Sequence, residues 1–588
     1  MTKLISRPFA VAALLAAAGS AMAGIETLPN GVASGDTTAS STVLWTRSTQ
    51  TGAVTFEVAT SPDFAPGSIV GAYGALVTDP TEPVRVAATG LSGGTRYYYR
   101  ATDAAGSVAA GQFRTAAAGG RNGLRFGVSG DWRGELAPFP AVRNVADRNL
   151  DLWISLGDTV YADYPSPAVP AAQATTLGEF RAKHNEIYST RFGLNTFRSL
   201  RASMSVLATI DDHEVTNDFI GGATIGSDPR FAGTGAPTDL VNTSTLYRNG
   251  IQAFQEYHPT QQRVWSGTGD SRFDGRPDLY RNQSYGSDAQ VSVLDARSFR
   301  DPGLPAANPV DPASIGAYLA ASFTPGRTLL GNAQINRLKS DLLSAQQNGT
   351  TWKFVNINEP IQNLGVLGAS DRFEGYAAER TELLSFIRNN NIENVVFISA
   401  DIHGTLVNNL TYQTGPGQPQ IQTGAWEITT GSVAFDAPFG PTVAGLASQF
   451  GLLTPAQTAF YNSLPRQGKD GFIENLLNAQ LVPLGYDPIG LQGSGIPATL
   501  VSGSYASTHT FGWTEFNIDA VTQELLVTTW GIDPYTQAQL NANPALITSL
   551  TPEIVSQFRV SAVPTPAAGV LLGLGGLLVA RRRRPAHA

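Results

Sequence analysis

"LRFGVSGDW", residues 124–132, and "LDLWISLGDTVY", residues 150–161, decide how this chain folds. Each is an apolar run that ends in Gly-Asp. Short apolar runs bounded by turn residues read as strands covered on both faces, as parallel strands in an α/β sheet are. "PAVRNVADRN", residues 140–149, lies between them and reads as helical. Strand, helix, strand makes a β-α-β unit whose two strands run parallel. Asp131 and Asp158 then leave the sheet at one edge.

Downstream, "VSVLDARSF" (291–299), "TWKFVNIN" (351–358) and "NVVFISADIHG" (394–404) read as further strands. "GNAQINRLKSDLLSAQQ" (331–347) and "AAERTELLSFIRNN" (377–390) read as amphipathic helices before the last two. A Gly- and Pro-rich insertion is expected from about 405 to 500. "THTFGWTEFNID" (508–519) and "QELLVTTWGI" (523–532) close an α/β domain placed at 121–540, with residues 541–562 as a linker.

Upstream, residues 24–118 carry short alternating segments broken by Gly, Pro, Asp and Ser, which suits a small antiparallel sandwich. Its strands are read at "STVLWTR", "VTFEVAT", "VRVAATGL", "TRYYYRA" and "GQFRT". "GLSGGTRYYYR" puts Leu91, Gly94, Thr95 and Tyr97 where a tyrosine corner falls in fibronectin type III-like domains.

The chain has 588 residues, 42% hydrophobic and 15% charged, with 61 Gly and 36 Pro. That composition belongs to a globular, loop-rich protein of more than one domain. The formal charge is −8. Lys3, Arg7 and Arg581–Arg584 are six of the 39 cations and lie in end segments without acids, so the body has 33 against 47, or −14. Such a body disfavours a stable nucleic-acid partner, and with it a metal-dependent nuclease. No cysteine is present, which removes disulfides, thiolate ligands and cysteine nucleophiles.

Residues 1–23 read as a secretory signal cut after Ala23: a basic start, an apolar stretch Phe9–Ala18, then Ala21-Met22-Ala23. Residues 563–588 set a proline motif before the apolar stretch Ala567–Ala580 and four arginines. This tail resembles a PEP-CTERM sorting signal, with Thr565 where glutamate is common. The resemblance implies export through the inner membrane of a Gram-negative bacterium, trimming by an exosortase-like protease/transferase, and a periplasmic, outer-envelope or matrix destination.

A third apolar run, Ser205–Ile210, leads into Asp211, Asp212, His213 and Glu214. A fourth ends in Asp401 and His403. Loops at one sheet edge can gather all four sets into a crevice. Buried together, such groups repel and resist desolvation unless cations compensate them, and oxygen and nitrogen ligands suit hard or borderline metals. On this reading Asp212 binds a metal and His213 faces the substrate.

The order GD, GDxxY, DHE in place of the usual NHE, and DxH resembles the calcineurin-like metallophosphatases, and within them the alkaline phosphatase D family. "GVASGD", "VLWTR", "FRAKH" and "LDARSFRD" support this over about residues 30–535. The resemblance implies a β-sandwich followed by a four-layer α/β/β/α domain. It also implies hydrolysis of phosphomonoesters or phosphodiesters, small molecules, by a metal-activated hydroxide at two or more metal ions: Fe3+ with Ca2+, or with Zn2+ or Mn2+. Asp158 would bridge the metals, Tyr161 and His403 would bind iron, and Asp212 and Asp401 the second ion. His213 would contact the phosphate or protonate the leaving oxygen. Asp131 stands where the family often has cysteine nearby, and "GDWRGE" resembles the first motif of purple acid phosphatases, whose aspartate binds iron. Arg133 is the candidate phosphate contact, and Arg297 is expected to be structural. The usual histidine between the last two motifs is missing, with Asn358 or Glu359 in its place. A matrix-bound adhesion protein on a dead scaffold is the rival reading, against which the full acid set stands.

Overall fold

The computed structural model describes residues 26–564. The expected export signal and residues 565–588 of the expected sorting tail lie outside the described residues.

Two face-to-face sheets build the C-terminal part. In the first, strands Leu124–Trp132, Leu152–Leu156 and Ser205–Thr209 are parallel neighbours. In the second, Ala289–Val293, Trp352–Asn356 and Val395–Ser399 are parallel neighbours in turn. Every residue of Leu152–Leu156 and Val395–Ser399 is buried, which is why these strands read as apolar runs broken only by Ser155 and Ser399. The core between the sheets interleaves Phe126, Val128, Ile154 and Leu207 with Val291, Phe354 and Ile398. Phe126 meets Phe354 edge-on at 4.9 Å and stacks on Phe516 at 4.7 Å. Helices Asn332–Gln347 and Ala377–Asn389 cover the second sheet. Helix Thr196–Ser203, with two short helices near the C-terminus, covers the first. The layers are therefore α/β/β/α.

The N-terminal sandwich packs strands Val32–Gly35, Ser41–Thr46 and Val84–Thr89 against a four-stranded sheet holding Gly52–Ala59 and Arg96–Thr102. Burial alternates strictly along Arg96–Thr102, as a half-buried strand requires. The tyrosine corner is present: Tyr97 Oη accepts the Ser92 N–H at 2.9 Å. The sandwich is not a separate bead, however. Val32–Gly35 pairs in parallel with Ser205–Thr209, so one sheet runs through both halves.

Three expectations change. Residues 140–149 form two 3-10 turns, Pro140–Val142 and Val145–Arg148, not an α-helix. Asn149 closes them in the left-handed region, and one or two turns do not repay helix nucleation. The expected insertion starts late, because Thr405–Tyr412 and Ile421–Thr429 are strands of the second sheet. What projects is the helical part, Phe439–Gln449, Pro455–Ser463 and Arg466–Leu481. The expected linker 541–562 carries helix Pro544–Ser549 and strand Glu553–Val560, which pairs with Leu525–Ile532 and seats Phe558 and Val560 in the inter-sheet core. Among the described residues no helix is long and apolar enough to cross a membrane.

Candidate metal centre

The C-terminal edges of the two sheets meet, and the ionisable residues of both lie there. Asp131 ends Leu124–Trp132, Asp158 and Tyr161 follow Leu152–Leu156, and Asp211–Glu214 follow Ser205–Thr209. From the second sheet come Arg297, Glu359, Asp401 and His403. The turns are tight enough to force left-handed backbone at Asp131 (φ 62°), Asp158 (φ 49°), Asp401 (φ 67°) and His403 (φ 61°). Such conformations cost about 1–3 kcal/mol each and persist where the surroundings hold them, commonly at functional sites.

Three sets of side chains converge closely enough to share a cation: Asp131, Asp158 and His403; Asp158, Asp212 and His213; and Asp211, Glu359 and Asp401. Asp158 belongs to two sets, as a bridging ligand must. Both carboxylate oxygens of Asp131 and the hydroxyl of Tyr161 are buried without a hydrogen-bond partner. Orphaned buried oxygens are costly, and a cation satisfies them. This donor set of carboxylates, imidazole and phenol oxygen fits iron and hard divalent metals. Burial first, then the neighbouring acids, holds Asp131, Asp158 and Asp401 well above the usual carboxylate range.

The two histidines are driven apart. Burial, then the cationic neighbour His213, pushes His403 down to about 3, so its imidazole is neutral and able to ligate. Its ring stacks on Phe435 with centroids 3.5 Å apart. For His213 burial works against the charge, but Asp212 and Asp163 outweigh it and raise the group to about 9. Asp163 Oδ1 lies 2.5 Å from His213 Nδ1, and its other oxygen accepts the Asn217 N–H at 2.6 Å. Asp212 stays ionised because Arg297 and His213 overcome its burial.

The motifs leave out Asp163 and do not say what Glu214, Arg297, Asn358 and Glu359 touch. Asp163 orients His213 from five residues beyond Asp158, and no spacing rule marks it. Glu214 faces inward as a clamp, accepting N–H bonds from Asp158 (3.0 Å), Thr159 (2.7 Å) and Asp211 (2.8 Å). Arg297 sits inside the acid cluster, fully buried, 2.5 Å from Asp211, 2.6 Å from Glu359 and 2.8 Å from Asp371. It is structural in that it neutralises the third set from within. Asn358 donates to Asp211 at 2.6 Å and serves as a brace, whereas Glu359 joins the third set while paired with Arg297 and Arg300. Asp401 accordingly lies with Asp211 and Glu359 and not in the set of Asp212. Arg133 lies over the Tyr164 ring at 3.7 Å and pairs with Glu135 at 2.5 Å. Its Nη1 donates to the Asp436 carbonyl at 3.1 Å, and its Nε has no partner.

A family model described as PhoD-like phosphatase matches residues 128–461, more than half of the chain. The chain belongs to the PhoD-like phosphatase family. The family's N-terminal domain matches residues 14–117. A curated relative, alkaline phosphatase D of Bacillus subtilis (strain 168), is 28% identical over 415 residues, and the match covers 65% of each chain. This PhoD-like chain thus spans just under two thirds of that relative's length. A solved structure of PhoD superposes with TM-score 0.64 at 20% identity, covering 92% of this chain and 93% of the other, which establishes the shared fold. A purple acid phosphatase from yellow lupin (Lupinus luteus) seeds aligns at TM-score 0.45 and 9% identity over 90% of this chain and 73% of its own. That likeness is too loose to bear on the site.

Proposed function

We propose that this PhoD-like chain is an exported hydrolase of phosphomonoesters, phosphodiesters or both, working with metal ions held at the joined sheet edges. The observation that carries the reading is the convergence of Asp131 and Tyr161, whose buried oxygens lack partners, on Asp158 and His403. Asp131, Asp158, Tyr161 and His403 would hold one ion, with iron(III) the expected species. Asp158 and Asp212 would hold a second, calcium, zinc or manganese, beside the set of Asp211, Glu359 and Asp401. Bound there, such ions supply positive charge for the phosphoryl oxygens and acidify water.

The chain's own residues supply the rest. Asp163 accepts from Nδ1 of the protonated His213, whose Nε2 lies 4.0 Å from Asp212. The ring packs against Tyr161, centroids 4.2 Å apart, which limits its rotation. Water gives up a proton to solvent and attacks phosphorus, the P–O ester bond breaks, and the departing oxygen takes the Nε2 proton of His213 as an alcohol leaves. Solvent then reprotonates His213. The full acid set argues against a decayed adhesion scaffold, and the body charge of −14 argues against a nuclease.

The test is metal analysis of the purified protein with 4-nitrophenyl phosphate and bis(4-nitrophenyl) phosphate as substrates. Hydrolysis that chelation abolishes and metal restores is expected. Turnover indifferent to chelation overturns the reading.

A further inference from the structure

Beside the metal centre lies a cavity of about 410 Å3 between the insertion helices and the loop that follows Glu359. Its walls include Leu364, Val366, Phe439, Val443, Leu446 and Leu477, and its polar lining residues are Thr442, Arg372 and Gln480. The charge of Arg372 is already spent: Nε donates to Glu374 at 2.8 Å and Nη2 to the carbonyls of Gly365 and Leu367 at 3.0 Å. The cavity therefore offers apolar surface and no free ionic group, in the size range of small-molecule sites.

Two loops are shared with the centre. The Phe439 N–H donates to the His403 carbonyl at 3.1 Å, and Ile402, between Asp401 and His403, packs in one cluster with Leu364, Ala444 and Leu477. Arg372 follows Asp371, which pairs with Arg297. Around the mouth, Val310, Phe450 and Val482 are 53%, 38% and 51% exposed, next to or near the lining residues Pro309, Leu452 and Pro483. An apolar chamber joined to the candidate ligand His403 through the backbone of its lining residue Phe439 matches a molecule with a charged head and a hydrocarbon body.

We infer that this cavity receives the hydrocarbon chain of an amphiphilic phosphate ester whose head sits at the metal centre. The inference rests on the hydrolase reading for the head and on the insertion for the chain. A flexible alkyl group fits an irregular apolar chamber, and each methylene buried is worth about threefold to fourfold in affinity.

The experiment uses the metal-loaded protein and n-alkyl phosphates from ethyl to decyl, below their micelle concentrations. Binding is followed by calorimetry and turnover by phosphate release; n-alkyl 4-nitrophenyl phosphodiesters form a parallel series. Affinity and kcat/KM should rise with chain length by about threefold per methylene until the chamber is full. Val443→Trp and Leu446→Trp, each checked for folding by its melting curve, should flatten that rise and leave the ethyl ester unchanged. Turnover with no chain-length dependence overturns the cavity inference alone. Chain-length-dependent binding without turnover overturns the hydrolase reading alone. A flat series together with a tryptophan variant that dissociates a dimer assigns the cavity to a second copy of the chain and overturns the inference.

Discussion

At the scale of single residues, the centre trades stability for chemistry. Asp131 is fully buried with both oxygens unpartnered. Uncompensated buried charge destabilises a fold, so Asp131→Asn should raise the melting temperature of the chelated protein while lowering metal content and activity. Calorimetry with and without chelator checks this, and a variant that melts lower in chelator refutes it. His213 and Asp212 are chain neighbours with different duties. His213→Ala should reduce kcat by ~10²–10⁴ on esters with poor leaving groups, the usual worth of a placed general acid. It should cost less on 4-nitrophenyl esters and leave metal content intact, whereas Asp212→Ala should deplete metal. If His213→Ala strips metal as Asp212→Ala does, His213 is a ligand.

At the scale of elements, buried polar residues tie strands and helices together. Glu214 gathers three N–H groups from the turns after two adjacent strands. Glu214→Ala leaves those donors unsatisfied, at about 1–3 kcal/mol each, and should lower the urea midpoint sharply without touching a substrate contact; an unchanged midpoint would remove its clamp role. Another tie joins helices Leu177–Ile187 and Thr245–Tyr257. His258 Nδ1 lies 2.9 Å from the Phe254 carbonyl and Nε2 lies 3.1 Å from the Tyr188 hydroxyl, so the neutral ring donates to one and accepts from the other. Burial first, then Arg201, pushes His258 down to about 3. The unfolded chain takes up a proton near the ordinary value of 6.5, and the folded one declines it until about 3. Stability from this site is complete above pH 6.5 and is lost as pH falls through that window, at up to about 1.4 kcal/mol per unit. Denaturant titrations should show His258→Asn with a correspondingly shallower acid slope, and equal slopes would rule this linkage out.

At the scale of the molecule, the sandwich is bonded to the two-sheet half. Besides the pairing of Val32–Gly35 with Ser205–Thr209, Trp45 Nε1 donates to the Glu256 carbonyl at 2.8 Å, and Asp36 pairs with Arg281 at 2.8 Å. Removing residues 26–118 would strip the neighbour of the strand that carries Asp211–Glu214 and leave an open edge. The intact protein should melt in one calorimetric transition, and the truncated form should aggregate. Two transitions, or a soluble truncation that still binds metal, would separate the halves. The proposed export adds a prediction about the ends: in a host with the sorting machinery, native material should begin near Gly24 and end near Val563 by intact mass, and retention of Arg581–Arg584 would discard the sorting reading.

Much of the site was legible in the chain order because its causes are local. Strands buried on both faces are mostly apolar, so Leu152–Leu156 announces itself, and the acids that follow it are set where the strand ends. Tyr97 closing on Ser92 is equally local, a contact within one turn of chain. The helix expected at 140–149, the linker expected at 541–562 and the insertion expected from 405 failed for the opposite reason. Short segments of mixed polarity are settled by what they pack against, as Phe558 and Val560 are by the core between the sheets. The partners of buried charge lie further still from sequence reach. Asp163 finds His213 fifty residues on, and Arg297 meets Asp211 from one loop and Glu359 and Asp371 from another. Side-chain types and strand periods state which groups must be satisfied. Only the folded chain, by bringing two sheet edges together, decides which group satisfies which, because desolvation makes that choice at distances of a few ångströms and not along the chain.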